Sequence, residues 1–341
     1  MNNQLFNKVA CFTDIHFGKS SNSEDYNVKC DQFVDWFIEK SKAAGAESCI
    51  FLGDWHESRI SLQVKTLNYS LRCMEKLSEA FDNFWFIPGN HDIFHRTKRE
   101  YNSIVMGRNL SNINIVNDIF CEGNVAIVPW LVGDEWKKVR KLKCRYMFGH
   151  FELPRFLMNA MVEMGDHGGL KSEDLKGPEF VFSGHFHKRQ VRDNIIYIGN
   201  AFPQNYTDAW DDDRGMMLLE WGKEPEFFTW QDQPLFRTYN LSDIIEEPEK
   251  HIYKHINARV TVDIEMSYEE SQVLKETFRS AFGANDIKFL HKHTEVEDAQ
   301  WDENVVFQSV DQIVVEGLTS LDEKSAYDKN LLVGIYNQIG E

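Results

Sequence analysis

Five short polar peptides, each closing an apolar run, constrain this chain more than any other feature. They are Asp14-Ile15-His16, Gly53-Asp54, Gly89-Asn90-His91-Asp92, Gly149-His150 and Gly184-His185-Phe186-His187. The runs before them, residues 9–12, 49–52, 84–87, 146–148 and 180–182, have the apolar, aromatic-rich character of buried strands. Between the first three lie two stretches of helical periodicity. One spans residues 26–44, with Val28, Phe33, Trp36 and Phe37, and stops at Gly45; the other carries Leu67, Leu71, Met74, Leu77 and Phe81. This alternation predicts a parallel sheet, and an open sheet of that kind binds ligands at the carboxyl ends of its strands. Asp, Asn and His recur at those ends, in numbers sufficient to hold two divalent cations. Paired cations are a common apparatus for cleaving phosphoesters.

Later segments extend the pattern. Further strands are expected between residues 114 and 147, including residues 124–129, with a short charged helix near residues 135–141. Residues 180–230 read as strands joined by tight turns, and Asp211-Asp212-Asp213-Arg214-Gly215 precedes the apolar strand 216–220. The fold class expected is α/β: two packed mixed sheets flanked by helices, with a small α+β cap domain and a helical tail. Three parts are expected: residues 1–235, 236–300 and 301–341. A Pro-containing polar link over residues 231–245 leads into an alternating strand (256–265), a helix (268–282) and another strand (287–290). Residues 295–304 read as an acidic loop. The tail has helical periodicity over residues 305–317 and 321–339, with Leu331, Leu332, Ile335 and Tyr336 as a docking face.

Charge is informative in its distribution. The net charge is −17. From Leu241 onward there are 21 acidic and 9 basic residues, a balance of −12, which leaves −5 for the first 240. Such acidity argues against strong, metal-free binding to a polyanion by this chain alone. The six cysteines show no C-x-x-C pairing and are expected to be reduced thiols. No stretch approaches the roughly 20 apolar residues of a membrane span. Residues 1–8 are polar and run straight into the first strand, so a cytoplasmic protein is expected.

Each motif alone is weak; their order and placement make them specific. Asp14 and His16 alternate across a strand end, which would put both side chains on one side. Gly89 permits a tight turn that carries the amide oxygen of Asn90 toward the site. His185 and His187, one residue apart, suit adjacent ions.

The five-block pattern resembles the calcineurin-like metallophosphoesterase superfamily. Within it the chain is similar to the SbcD-type nucleases, which include the nuclease of the eukaryotic MRN complex and the nuclease subunits of recombination endonucleases of large tailed phages. The matching residues are Gly53-Asp54, Gly89-Asn90-His91-Asp92, Gly149-His150-Phe151-Glu152-Leu153, Ser183-Gly184-His185-Phe186-His187, Tyr197-Ile198-Gly199-Asn200 and Arg214-Gly215. The resemblance covers residues 10–220 by motif and the remainder by organisation. It implies that Asp14, His16 and His187 bind one metal, that Asn90, His150 and His185 bind the other, and that Asp54 bridges them. The expected ions are two divalent cations, Mn2+ or Mg2+, with mixed oxygen and nitrogen ligation favouring manganese. His91 would act on the substrate as the catalytic residue, stabilising pentacoordinate phosphorus or protonating the leaving oxygen. Asp92 would orient a histidine from behind the ligands. His56 and Arg96 are candidates for supporting or substrate-facing groups. The chain departs from the family after Asp54, where Trp55-His56-Glu57 replaces the usual apolar residue, Phe, and Asp or His.

The activity implied is that of a two-metal DNA nuclease, a 3′-to-5′ exonuclease on duplex ends and an endonuclease on single strands. DNA, a second copy of the chain and an SMC-like coiled-coil ATPase are the implied partners, in repair, replication and recombination. The alternative is a phosphodiesterase or phosphatase acting on nucleotides or phosphoproteins. The Gly-Asp-x-Val-Asp-Arg-Gly block usual in protein phosphatases is missing after Gly53. A binding scaffold without activity would be expected to have lost ligands, yet all seven are present. The basic run 95–99 and Lys188-Arg189 are candidate phosphate contacts. His167 reads as a turn residue. His291 and His293 lack an accompanying carboxylate motif, and Trp130, Trp136 and Trp210 are expected in core or interface positions.

Overall fold

The computed structural model describes residues 4–158, 163–166 and 168–291. The chain divides into two compact units, residues 1–292 and 293–341, and the description concerns the first. The expected tail helices, the acidic loop, His167 and His293 lie outside the described residues.

In chain order the first strands are β1 (Lys8–Phe12), β2 (Ser48–Phe51), β3 (Asn83–Phe86), β4 (Ile93–His95), β5 (Lys98–Asn102) and β6 (Ile113–Ile115). Next come β7 (Phe120–Glu122), β8 (Val125–Val128), β9 (Tyr146–His150), β10 (Phe180–Gly184), β11 (Gln190–Arg192) and β12 (Ile195–Tyr197). The last are β13 (Gly215–Glu220), β14 (Glu226–Thr229), β15 (Leu235–Asn240), β16 (Ile256–Val262) and β17 (Asp286–His291). They form two six-stranded mixed sheets, ordered β14-β13-β1-β2-β3-β6 and β11-β12-β10-β9-β8-β7, a three-stranded sheet β15-β16-β17 and the β4-β5 hairpin. In the first large sheet β1, β2, β3 and β6 run parallel, and in the second β8, β9, β10 and β12 do. The two sets of carboxyl ends supply the residues of the site.

The inner strands are apolar on both faces because both faces are covered. Val9, Cys11, Ile50, Leu52, Trp85 and Ile87 pack against Tyr146, Phe148, Phe182 and Ile196 of the other sheet. The alternate residues Ala10, Phe12, Cys49, Phe51, Phe84 and Phe86 face two helices. The first helix, Glu24–Ala43, is capped by Ser23 and buries Cys30, Phe33, Val34 and Phe37. Acids in its first turn and lysines in its last complement the helix dipole. The second helix, Val64–Ala80, buries Cys73, Met74 and Leu77. On the outer face of the second sheet only short elements lie among the described residues, the Trp136–Val139 helix and the Ser172–Leu175 turn.

The C-terminal α+β part has its own apolar cluster, in which Ile256, Ala258 and Val260 pack with Phe278 and Ile287. Its helix, Tyr268–Phe282, begins with a Ser267–Glu270 capping box and ends at Gly283. Residues 235–240 differ from expectation: they form a strand, parallel to β16, rather than a link.

Candidate metal centre

The site is assembled from turns that follow β1, β2, β3 and β10 and from His150, the last residue of β9. Asp14 and His16 do not converge through strand alternation, because β1 ends at Phe12. Both adopt left-handed backbone conformations, with φ of 52° and 54°, and Asp54 (61°) and His185 (86°) do likewise. Non-glycine residues at positive φ cost free energy and concentrate at functional sites. Neighbouring contacts hold the geometry: Asp14 N–H donates to Gly53 O at 2.9 Å, and Gln204 Nε2 donates to Asp14 O at 2.6 Å. Two glycines allow the loops to touch. A Cβ on Gly53 would lie 2.3 Å from His150 Nδ1, and one on Gly89 would lie 2.1 Å from Asp54 Oδ1.

Seven side chains gather in two groups, Asp14 with His16 and His187, and Asp54 with His150 and His185, beside Asn90. In both carboxylates one oxygen is used structurally and the other faces ring nitrogens. Asp14 Oδ2 accepts from Thr13 Oγ1 (2.6 Å) and from His185 N–H (3.1 Å). Its Oδ1 is buried without a hydrogen bond, 3.9 Å from both His16 Nε2 and His187 Nε2. Asp54 Oδ1 accepts from His91 N–H at 2.9 Å. Asp54 Oδ2 lies 3.8 Å from His16 Nε2 and 3.5 Å from His150 Nε2, between the two groups.

The imidazoles are oriented for ligation. His150 Nδ1 sits 2.6 Å from Leu52 O and donates to it, which turns Nε2 toward Asp54 and Asn90 as the nitrogen available to a metal once its proton is displaced. That Nε2 is 3.1 Å from Asn90 Oδ1, and His185 Nδ1 is 3.0 Å from the same oxygen. His16 Nε2 is buried without a hydrogen bond. Electrostatics also favour a cation. Burial opposes charge on His150, but Asp54 and Asp14 outweigh it and push its pKa up to about 9. Burial and the neighbouring His16 keep His187 neutral, its pKa well below the usual imidazole range. Orphaned carboxylate oxygen, converging lone pairs and excess buried negative charge fit divalent cations.

Other expected residues fall differently. His91 stands beside the first group, its ring centroid 4.9 Å from that of His16, with Nδ1 2.7 Å from Glu57 O. His56, expected as a supporting or a substrate-facing group, is fully buried and so does not face substrate. Its Nδ1 and Nε2 are each 2.7 Å from a serine oxygen, of Ser103 and Ser70 respectively, and burial lowers its pKa to about 3. Asp92 orients backbone rather than a histidine: its carboxylate accepts the N–H groups of Asp54, Trp55, His56 and Gly89. Burial and Asp54 raise its pKa to about 6. Arg96 is exposed on the β4-β5 hairpin. Arg99 of the same basic run is buried and ion-paired with Glu135 at 2.5 Å, so it is unavailable to a phosphate. Arg189 is likewise engaged by Asp213, at 2.5 Å.

Glu57 was not anticipated. Its carboxylate lies 2.8 Å from His16 Nδ1 and 3.2 Å from Lys19 Nζ, and its carbonyl holds His91. Burial acts to raise its pKa, but His16, Lys19 and His91 outweigh it and hold it near about 2. The one signal in the sequence was an acid three residues after Asp54. Trp130 also borders the site, 5.8 Å from the His150 ring and 5.0 Å from that of His185.

Two packed mixed sheets with these donors at their carboxyl ends have the form of a metallophosphoesterase. The calcineurin-like phosphoesterase family matches residues 7–189, and the chain belongs to that family of metal-dependent phosphoester hydrolases. It is 22% identical over 346 residues to exonuclease subunit 1 of Enterobacteria phage T4, covering 97% of this chain and 98% of that protein. Among solved structures it is similar to nuclease MPE of Pseudomonas putida (16% identity, TM-score 0.29), over 55% of this chain and 66% of that one. It is also similar to a dimetal phosphatase from Danio rerio (10% identity, TM-score 0.37), over 62% of this chain and 91% of that one.

Proposed function

We propose that this chain is a two-metal DNA nuclease, a 3′-to-5′ exonuclease on duplex ends and an endonuclease on single strands. It works with an SMC-like coiled-coil ATPase in repair, replication and recombination. The observation that supports the metal assignment best is Asp54 Oδ2, which faces both donor groups while Oδ1 is held by His91 N–H. In this reading Asp14, His16 and His187 hold one ion, Asn90, His150 and His185 the other, and Asp54 bridges. Manganese is the expected metal, with magnesium the alternative. When bound, the ions offset phosphodiester charge and lower the pKa of water at the site.

The chain's own groups supply the rest. The Glu57 carbonyl accepts from His91 Nδ1–H; the imidazolium form of that ring, which carries a second proton on Nε2, would give that proton to the departing oxygen and become the neutral Nδ1–H ring. The Glu57 carboxylate favours a proton on His16 Nδ1 and so frees Nε2 as a donor. Asp92, by gathering four N–H groups, keeps the Asp54 turn and the Gly89 loop together. The DNA assignment draws on the T4 relative, named an exonuclease, and the partner on its being named a subunit. Residues 236–300 would cap the site and residues 301–341 would dock the ATPase. The test is cleavage of labelled duplex and single-stranded DNA with Mn2+ or Mg2+, beside bis-p-nitrophenyl phosphate. Preferential, metal-dependent DNA cleavage is expected; hydrolysis of the small diester with intact DNA would contradict the reading.

A further inference from the structure

The basic run at residues 95–99 lies on the β4-β5 hairpin, which contributes no donor to the metal centre. The hairpin is fixed at its feet. Ser103 N–H donates to Asp92 O at 2.8 Å, Ser103 Oγ lies 2.7 Å from His56 Nδ1, and Arg99 is tied to Glu135. Asp92, at the first foot, follows His91 directly and clamps the Asp54 turn, so the hairpin has a set position relative to the site.

Above these anchors the hairpin exposes aromatic rings. Phe94 is 49% and Tyr101 60% exposed. The His95 ring lies between them, 4.8 Å from the Phe94 centroid and 5.9 Å from that of Tyr101. The rings border a cleft of about 480 Å³ whose other wall carries Arg59 and Ile60, the latter 80% exposed. Exposed aromatic rings gathered around a cleft offer a binding surface. Here it is interleaved with cations: Arg96 and Lys98 are exposed on the hairpin and Arg59 borders the cleft, against one exposed acid in the hairpin, Glu100. Ring faces for bases and cations for phosphates are the two components of single-strand binding, and stacking accepts any base. A protein partner would need neither the cations nor the proximity to His91.

We infer that the hairpin binds unpaired nucleotides of a DNA strand, stacking bases on Phe94 and Tyr101 while Arg59, Arg96 and Lys98 contact phosphates. This rests on the nuclease reading and specifies the state of its substrate: the strand arrives at the site with bases unstacked from its complement.

The test uses the full chain and a single-stranded phosphorothioate oligonucleotide carrying 2-aminopurine, followed by anisotropy and by 2-aminopurine fluorescence. The Phe94→Ala, Tyr101→Ala double variant should keep the wild-type melting temperature, lose affinity at least about tenfold and lose the fluorescence change on binding. Phe94→Tyr should retain both signals. Arg96→Ala with Lys98→Ala should reduce the salt slope of binding by about 1 per residue removed. Wild-type affinity and fluorescence in the double variant would overturn the inference. So would a changed oligomeric state with unchanged DNA affinity, which would make the surface a contact between copies. If the wild-type chain neither binds nor cuts DNA yet hydrolyses bis-p-nitrophenyl phosphate, the nuclease reading itself fails.

Discussion

Each carboxylate at the site divides its labour between two oxygens. One oxygen of Asp14 and one of Asp54 is spent on Thr13, His185 and His91, and the other is left facing imidazole nitrogens. His91 stands beside the donors, its ring centroid 4.9 Å from that of His16 and its Nδ1 given to the Glu57 carbonyl, and in the proposed reading it acts on the substrate. His91→Ser should therefore bind metal nearly as the wild type does while cleavage falls by roughly 10²–10⁴-fold, the usual worth of a proton donor. Calorimetric titration with Mn2+ beside a DNA cleavage assay checks this, and loss of metal in the variant would refute the assignment. At this scale the sequence showed which residue types gather but not every orientation. His56 follows Asp54 by two residues, and nothing in its neighbours announces that its ring turns inward to Ser70 and Ser103. The partners of Asp92 are backbone N–H groups, which leave no mark on the sequence.

The elements that carry the donors were legible where their hydrophobic pattern was plain. The two long helices and the runs before the five peptides have apolar spacings that match one face, or both faces, of what they form. The strand β15 was hidden because Arg237 sits buried within it, ion-paired to Asp212, which breaks the alternation expected after Pro234. The β4-β5 hairpin was hidden because most of its residues are polar or charged. Its Arg99–Glu135 pair ties the hairpin to the loop carrying Trp130, whose carbonyl also accepts from Arg99. Glu135→Ala strands a buried guanidinium and should destabilise the chain by roughly 2 kcal/mol. That is less than the roughly 3–5 kcal/mol of a fully buried pair, because Glu135 retains solvent contact. Burial would raise the Glu135 pKa, but Arg99 outweighs it and holds it low. A depressed carboxyl pKa stabilises above the unfolded value and loses that effect as pH falls through the folded one. The difference between wild type and variant in denaturant melts should thus be constant above about pH 5 and shrink in more acidic buffer. A difference that grew on acidification would contradict the ion-pair explanation.

At the scale of the whole molecule, −12 of the −17 net charge lies from Leu241 onward and −5 in the first 240 residues, so under the proposed function the grip on DNA would depend on bound cations and on a partner. Among the described residues no helix is long and apolar enough to cross a membrane. Under the proposed function, deleting residues 305–341 should leave metal-dependent cleavage intact while abolishing co-purification with the proposed ATPase partner. Normal association of the truncated chain would relocate the docking surface.

Anomalous diffraction at the manganese edge, from crystals of the full chain soaked in Mn2+, bears most directly on the metal centre. Two peaks about 3.5–4 Å apart are expected, with Asp54 Oδ2 between them, Asp14, His16 and His187 around one, and Asn90, His150 and His185 around the other. A single peak, or two peaks that do not share Asp54, would contradict the two-metal assignment.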